Sequence, residues 1–413
     1  MKNRGGREFF KVAVTADVLR AFRDIAPLET EEVPFQEARG RVLGAEVAAE
    51  ADLPPFDRAI MDGYAVRASD TFGCGESQPA YLACERTVEM GTAAGAGPAP
   101  GEALRISTGG MMPSEADAVV MWEYTREDGG VVEISRPVAP GENVVRAGED
   151  VREGETVLER GRILRPPDIG MLSGIGRTAV PVVRKPKVAV ISTGDELVGP
   201  GESPGPGMVR NVNQYSLGAW IEHCGGEPLL LGVVPDELEK IQAAVAAGLE
   251  GGDMVIISGG SSAGMRDLTR QVVEGCDDPG LLFHGLAVRP GKPTVIGSSG
   301  SRPVFGLPGH PVSAMVVFLV LVRPVINRML GRNDDAGLRK VTARLADNLP
   351  SQAGREDYCQ VRLVTEGDSV LAHPVFRKSG LVISMVRGEG MVRVPFGSEG
   401  LEAGETVTVE IYA

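Results

Sequence analysis

Residues 253–267, Asp-Met-Val-Ile-Ile-Ser-Gly-Gly-Ser-Ser-Ala-Gly-Met-Arg-Asp, place hydroxyls, glycines and a carboxylate at the end of a short apolar run. Ser258, Gly259, Gly260, Ser261 and Ser262 form a turn whose two adjacent glycines allow positive φ and leave backbone N–H groups bare for an anion. A helical pattern opens around Asp267, and a helix N-terminus adds partial positive charge. A phosphate bound in the turn could share a magnesium ion with Asp267. The bland alternative is a tight turn that needs glycine. A second chemistry fits the same residues: Gly260 to Gly264 match Gly-x-Ser-x-Gly, in which Ser262 would be a hydrolase nucleophile and His284, His310 or His373 its base. No His-Gly-Gly-Gly oxyanion segment precedes it.

Arg289-Pro290-Gly291-Lys292-Pro293 sets two cations three residues apart in a proline-stiffened loop, a pattern suited to an oxyanion or, more simply, to a solvated basic turn. Gly306-Leu307-Pro308-Gly309-His310-Pro311-Val312-Ser313 leads into an apolar helix, so its N–H groups would face an anion too. Three more stretches end in hydroxyls, glycines or acids: Ser107-Thr108-Gly109-Gly110, Gly148-Glu149-Asp150 and Ser192-Thr193-Gly194-Asp195-Glu196. Asp62-Gly63 is a turn pair after the extended entry of Pro54-Pro55, and by itself Asp62 reads as only the turn residue.

These residues need a frame. At 413 residues the chain exceeds one core, so two to four domains are expected. Hydrophobic content of 43% and charged content of 24% are those of a globular protein, and 55 glycines and 29 prolines imply many turns. A net charge of −14 argues against nucleic-acid binding, and an anionic substrate would need a local basic pocket or a metal. The five cysteines are odd in number and form no Cys-x-x-Cys pair, so neither zinc nor a disulfide framework is expected and a reducing compartment fits. Phe9-Phe10-Lys11-Val12 breaks any signal-peptide core, and Pro311 to Val322 is shorter than the ~20 residues that span a bilayer. A cytoplasmic protein without membrane contact is the expectation.

Along the chain, residues 15–26 predict an amphipathic helix capped by Thr15, and Phe35 to Val47 a second. Short β-like runs follow to 145, among them Val119 to Trp122 and Val131 to Ile134. From Pro186 strands and helices alternate: Lys187 to Ser192, Asn211 to Cys224, Leu229 to Val234, then Glu237 to Leu249 with Asp236 as cap. The run 254–257, Val295-Ile296, Val304-Phe305 and the apolar helix at 311–330 complete a parallel, doubly wound sheet, with Thr193, Ser258 and Leu307 on one edge. Beyond the polar linker 331–335, close-spaced strands near 340–346, 358–365, 370–375, 391–395 and 405–411 predict a small β-barrel or sandwich that folds as its own unit.

Taken in order, these motifs resemble the molybdopterin molybdenumtransferases, the family that includes the E domain of gephyrin. The matching segments are Pro54 to Asp57, Met61 to Arg67, Ser107 to Gly109, Gly148 to Asp150, Ser192 to Leu197, Ser258 to Gly260, Pro290 to Pro293 and Gly306 to Gly309. The resemblance implies an elongated homodimer of four-domain chains: a mixed α/β unit from 1–53 with 146–185, a β-rich unit 54–145, an α/β nucleotide unit 186–331 and a C-terminal β-barrel 332–413. It implies insertion of molybdate into adenylylated molybdopterin with Mg²⁺ and release of AMP. Transient contacts with a molybdopterin adenylyltransferase and with apo-molybdoenzymes would follow from that role.

Position by position, the family's functional residues fall on Asp62, Thr108, Asp150, Glu196, Asp236 and Asp267, with Asp236 and Asp267 near magnesium. Nucleotide and molybdopterin would lie against Ser192, Thr193, Gly194, Ser258 to Ser262, Pro308 and Gly309. The molybdate pocket would take Arg289, Lys292, Ser313, Arg355 and Ser379. Three departures stand out: Arg289 for the family's first lysine, His310 for its asparagine, and Gly285 where it has another lysine. Tungstate, of the same shape and charge, is an alternative oxyanion; a scaffold and a serine hydrolase are the alternatives in other classes.

Overall fold

The computed structural model describes residues 12–259, 263–332, 339–375 and 379–412, with 263–267 given by their backbone alone. Its centre is a six-stranded sheet in the order Glu227–Val234, Lys187–Thr193, Met254–Gly259, Arg302–Pro308, Val295–Ser299, Pro279–His284. Successive residues of these strands face opposite cores. Val188, Val190 and Ile256 pack with Leu217, Ile221 and the 312–330 helix, while Ala189, Ile191 and Ile257 pack with Ile241, Val245 and Val272. Both faces are covered, which is why the strands read as unbroken apolar runs. The doubly wound expectation holds. The all-parallel one does not: four strands pair in parallel, and Val295–Ser299 runs antiparallel to both of its neighbours, Arg302–Pro308 and Pro279–His284. Only Gly300 and Ser301 separate Val295–Ser299 from Arg302–Pro308, too short a link for the crossover that a parallel pair requires.

The apolar segment from Pro311 is α-helical to Val317, π-helical over Phe318–Val322 and α-helical again from Arg323 to Met329. The wide turn falls just before Pro324, which has no N–H to give to the ladder. This is the one described helix long and apolar enough to cross a membrane, and 78% of its apolar window is buried inside the protein. It is the central helix of the core.

The N-terminal helix is Thr15–Ala21, shorter than expected, and its N-cap is Val14. Thr15 Oγ1 instead donates to Glu356 Oε2 at 2.9 Å. The helix expected over Phe35 to Val47 is absent: a 3₁₀ turn, Phe35–Glu37, gives way to extended chain and the strand Val47–Ala48. Glycines break the pattern there. Gly40 has φ +81°, and a Cβ on Gly44 would sit 2.6 Å from Thr30 Cγ2. Thr30–Pro34 pairs with Ala179–Val183, and Val47–Ala48 with Thr156–Leu158, so the chain before 54 meets the chain after 146. Between them lies a mixed sheet in the order Ala118–Met121, Gly63–Val66, Glu102–Ile106, Ala80–Thr87, Val131–Ile134, Thr125–Asp128.

In the C-terminal part, Lys340–Leu345, Glu356–Glu366, Ser369–Pro374, Gly390–Val394 and Thr406–Ile411 close into a barrel, because Glu356–Glu366 pairs with both Ser369–Pro374 and Gly390–Val394. Each expected strand is present. The barrel also takes in a short strand from the central region. Val288–Arg289, from the loop between two strands of the central sheet, adds to it in parallel, with Val288 opposite Glu356 and Arg289 opposite Asp357.

Candidate active site

That strand addition builds the main cavity. Arg289 and Lys292 reach it from the loop, Ser313 from the first turn of the core helix, and Arg355 and Ser379 from the barrel side. The five residues come together around a volume of about 780 Å³. Gly291 has φ +132°, and a Cβ there would lie 2.5 Å from Val317 Cγ2, so the loop lies hard against the core helix because that residue is glycine. Ser379 is held twice: its carbonyl accepts the N–H of Val312 at 3.1 Å, and its Oγ lies 3.1 Å from His310 Nδ1. His310 thus stands in the cavity as a neighbour of a candidate ligand.

Two lining residues carry no sequence signal. Asp357 is 7% exposed and accepts from Arg355 Nε at 2.8 Å and from Arg289 Nη1 at 3.4 Å. An acid two residues after an arginine on a strand looks like surface patterning, but here the strand is paired on both sides, with Arg289 and with Val394 opposite Asp357, and the acid is buried. Cys359 also lines the cavity; burial, then the charge of Asp357, pushes its thiol up to about 11, so it stays protonated at neutral pH.

The edge of the central sheet supplies a second group of residues. The register sets Ser192 beside Ser258, Ser258 beside Leu307, and Gly259 beside Pro308. A Cβ on Gly259 would fall 2.0 Å from Thr193 Oγ1, so this crossing admits only glycine. Asn213, at the start of a helix, ties the edge together: its Nδ2 donates to Ser258 Oγ at 2.8 Å and to Gly309 O at 2.9 Å. Sequence reading missed it, although an amide at a helix start beside a polar turn is a signal. The buried Thr193 Oγ1 and Asn213 Oδ1 have no hydrogen-bond partner among the described residues, which leaves a donor and an acceptor to be satisfied at this edge. Pro308 belongs to this edge and also lines the cavity, so the two groups adjoin. Gly260, Ser261 and Ser262 lie outside the described residues, as does the side chain of Asp267.

Asp236 precedes the helix Leu238–Gly251, whose N-cap position is Glu237, and its carboxylate makes no capping bond. It is a different kind of residue from the cap expected. Its N–H donates to Asp195 Oδ1 at 3.2 Å, while its own Oδ1 is buried without a hydrogen-bond partner among the described residues. Burial, then the charges of Asp195 and Glu196, raise its pKa above the ordinary 3.8. Glu196 folds back over Gly194, where a Cβ would meet its Oε2 at 2.7 Å. An orphaned, crowded carboxylate oxygen fits a divalent cation that draws its other ligands from phosphate and water. Among the described residues no group of three or more His, Cys, Asp or Glu stands ready to hold a metal by itself.

Asp62 and Thr108 form a pair of their own. Asp62 Oδ1 accepts the N–H of Thr108 at 2.7 Å and its hydroxyl at 3.1 Å. Asp62 is therefore more than a turn residue, but both side chains are exposed and no strand pairing joins their sheet to the central one. Asp150 is exposed nearby in sequence to Arg146, whose guanidinium approaches Asp57 at 4.0 Å.

Three family models match in chain order: the MoeA N-terminal region (domain I and II) over residues 13–176, a probable molybdopterin binding domain over 189–328, and the MoeA C-terminal region (domain IV) over 342–412. The molybdopterin molybdenumtransferase of Haemophilus influenzae is 33% identical, with 93% of this chain and 94% of that protein covered. The Bacillus subtilis molybdopterin molybdenumtransferase is also 33% identical, covering 92% and 89%. This chain belongs to the molybdopterin molybdenumtransferase family. The crystal structure of the molybdopterin biosynthesis MoeA protein from Pyrococcus horikoshii superposes with a TM-score of 0.85 at 36% identity, over 97% of this chain and all of that one. The molybdenumtransferases are an enzyme family of molybdenum cofactor biosynthesis, and both the cavity and the sheet edge fall within the matched regions. The family displaces the serine-hydrolase alternative at Ser262.

Proposed function

We infer that this protein inserts molybdate into adenylylated molybdopterin, with Mg²⁺, and releases AMP. The observation that carries the reading is the convergence of Arg289, Lys292, Ser313, Arg355 and Ser379 on one cavity that shares Pro308 with the sheet edge. Guanidinium and ammonium groups replace the water shell of a small dianion, and the two serines supply hydroxyl donors. At the edge, Ser192, Thr193, Ser258 and the glycine turns would hold the adenylate and pterin, with Asn213 fixing Ser258. Asp236, beside Asp195 and Glu196, would hold Mg²⁺ with Asp267. When bound, the ion offsets phosphate charge and stabilises the departing phosphate oxygens. The chain's own part is to orient the oxyanion against the nucleotide edge.

Asp62, Thr108 and Asp150 lie in another region, which supports a homodimer in which they complete the partner's cleft. The four-unit division at 54, 146, 186 and 332 accompanies that reading. Tungstate fits the same donors, and a cytoplasmic enzyme in transient contact with an adenylyltransferase and apo-molybdoenzymes suits the chemistry. The test is AMP release from adenylylated molybdopterin by the purified protein. Release should need both molybdate (or tungstate) and Mg²⁺. Molybdate-independent release would refute the assignment.

A further inference from the structure

A carboxylate stands inside the cavity assigned to an anion. Asp357 is buried, and Arg289 Nη1 and Arg355 Nε and Nη2 donate to it at 3.4, 2.8 and 3.4 Å. Its backbone is fixed beside Arg289 by the parallel pairing of 288–289 with 356–357. Each guanidinium has five N–H donors in a rigid fork, so these bonds hold one edge of each arginine and leave the others aimed elsewhere. Alone, a carboxylate here would repel the substrate. Held between the two guanidiniums, it lowers the positive charge that they present to the cavity and fixes where they point.

We propose that Asp357 is a positioning residue, which locks the Arg289 and Arg355 forks and moderates the charge that they present to the oxyanion. The proposal rests on the cavity being the oxyanion site. Without the carboxylate charge, the cavity would bind its dianion more tightly before reaction than transfer requires, and tighter ground-state binding does not raise turnover. Because the attraction scales with the ligand's charge, loss of that carboxylate would strengthen dianion binding more than binding of a monoanion of the same shape.

The test is calorimetric titration of the full-length protein with molybdate, tungstate and perrhenate, a tetrahedral monoanion, alongside steady-state AMP release. Wild type should bind perrhenate at least ~30-fold more weakly than molybdate. Asp357→Asn keeps an oxygen for the arginines and loses the charge: molybdate should bind about tenfold tighter, with KM and kcat both lowered. Asp357→Ala loses the anchor as well, so molybdate should bind more weakly than to the asparagine variant. Equal weakening in both variants would make Asp357 merely structural and overturn the proposal, as would no change in either. Perrhenate that tightens as much as molybdate in Asp357→Asn would overturn the charge role; should that variant fail to fold, Asp357→Ala binding molybdate as wild type does would overturn the positioning role. Lys292→Ala, which leaves Asp357 and its partners intact, tests the underlying reading: unchanged molybdate binding there would overturn the oxyanion site itself and this inference with it.

Discussion

At the scale of the residue, the site's character comes from side chains without partners among the described residues. Asp236 has such a buried oxygen and a pKa raised first by burial and then by Asp195 and Glu196. A raised carboxylate pKa means that the folded state penalises ionisation. The penalty is absent below the ordinary 3.8 and grows as pH rises through the folded value. Asp236→Asn should therefore raise the Tm of the metal-free protein at pH 7 by roughly 1–2 °C, an advantage that fades near pH 4. The same variant should lose the upward Tm shift that Mg²⁺ gives to wild type. A metal-free protein destabilised by the change, or a Mg²⁺ shift that persists, would remove Asp236 from the cation site. Thr193 and Asn213 hold their orphaned atoms at the sheet edge in the same way, as groups a ligand completes.

At the scale of the element, the strands and turns set distances that side chains alone cannot. The edge of the sheet closes because Gly259 passes 2.0 Å, measured from where a Cβ would sit, from Thr193 Oγ1. Gly259→Ala should force the 254–259 strand away from its neighbour and cost about 2 kcal/mol or more in urea unfolding, with nucleotide affinity falling in parallel. Gly170, in the exposed helix Pro166–Gly174, has nothing within 4 Å of a Cβ. Gly170→Ala is the matched control and should stabilise by about 0.5–1 kcal/mol. If both substitutions behave alike, close approach is not what glycine provides at 259. The central strands were legible in sequence because burial on both faces writes them as continuous apolar runs. The segment 35–47 was misread because its apolar spacing mimics a helix, while Gly40 and Gly44 do the work of turning and close packing.

At the scale of the whole molecule, the sequence indicates which segments matter but not how they meet. Alternating strands and helices from 187, and the five strands after 339, could be read from spacing. Nothing local in Val288–Arg289 says that it becomes a strand of the C-terminal barrel, and nothing in Arg355-Glu356-Asp357 says that the last acid is buried between two arginines. Those facts depend on a pairing across some seventy residues of chain, where one-dimensional patterns carry no signal. Asp62 and Thr108 pose the reverse case, being easy to single out yet set in a sheet apart from the cavity. If they complete a partner's site, mixing inactive Asp62→Ala with inactive Arg289→Ala protein should restore AMP release to a fraction of wild type once subunits exchange. Heterodimers shown to form but to remain inactive would confine each site to one chain. If the barrel and the 289–292 loop together hold the oxyanion while the sheet edge holds the nucleotide, Arg355→Ala measured by titration calorimetry should raise the molybdate Kd at least about tenfold, as expected for loss of a charged hydrogen-bond donor, with the affinity for adenylylated molybdopterin unchanged. A variant that binds molybdate normally and the nucleotide poorly would contradict it.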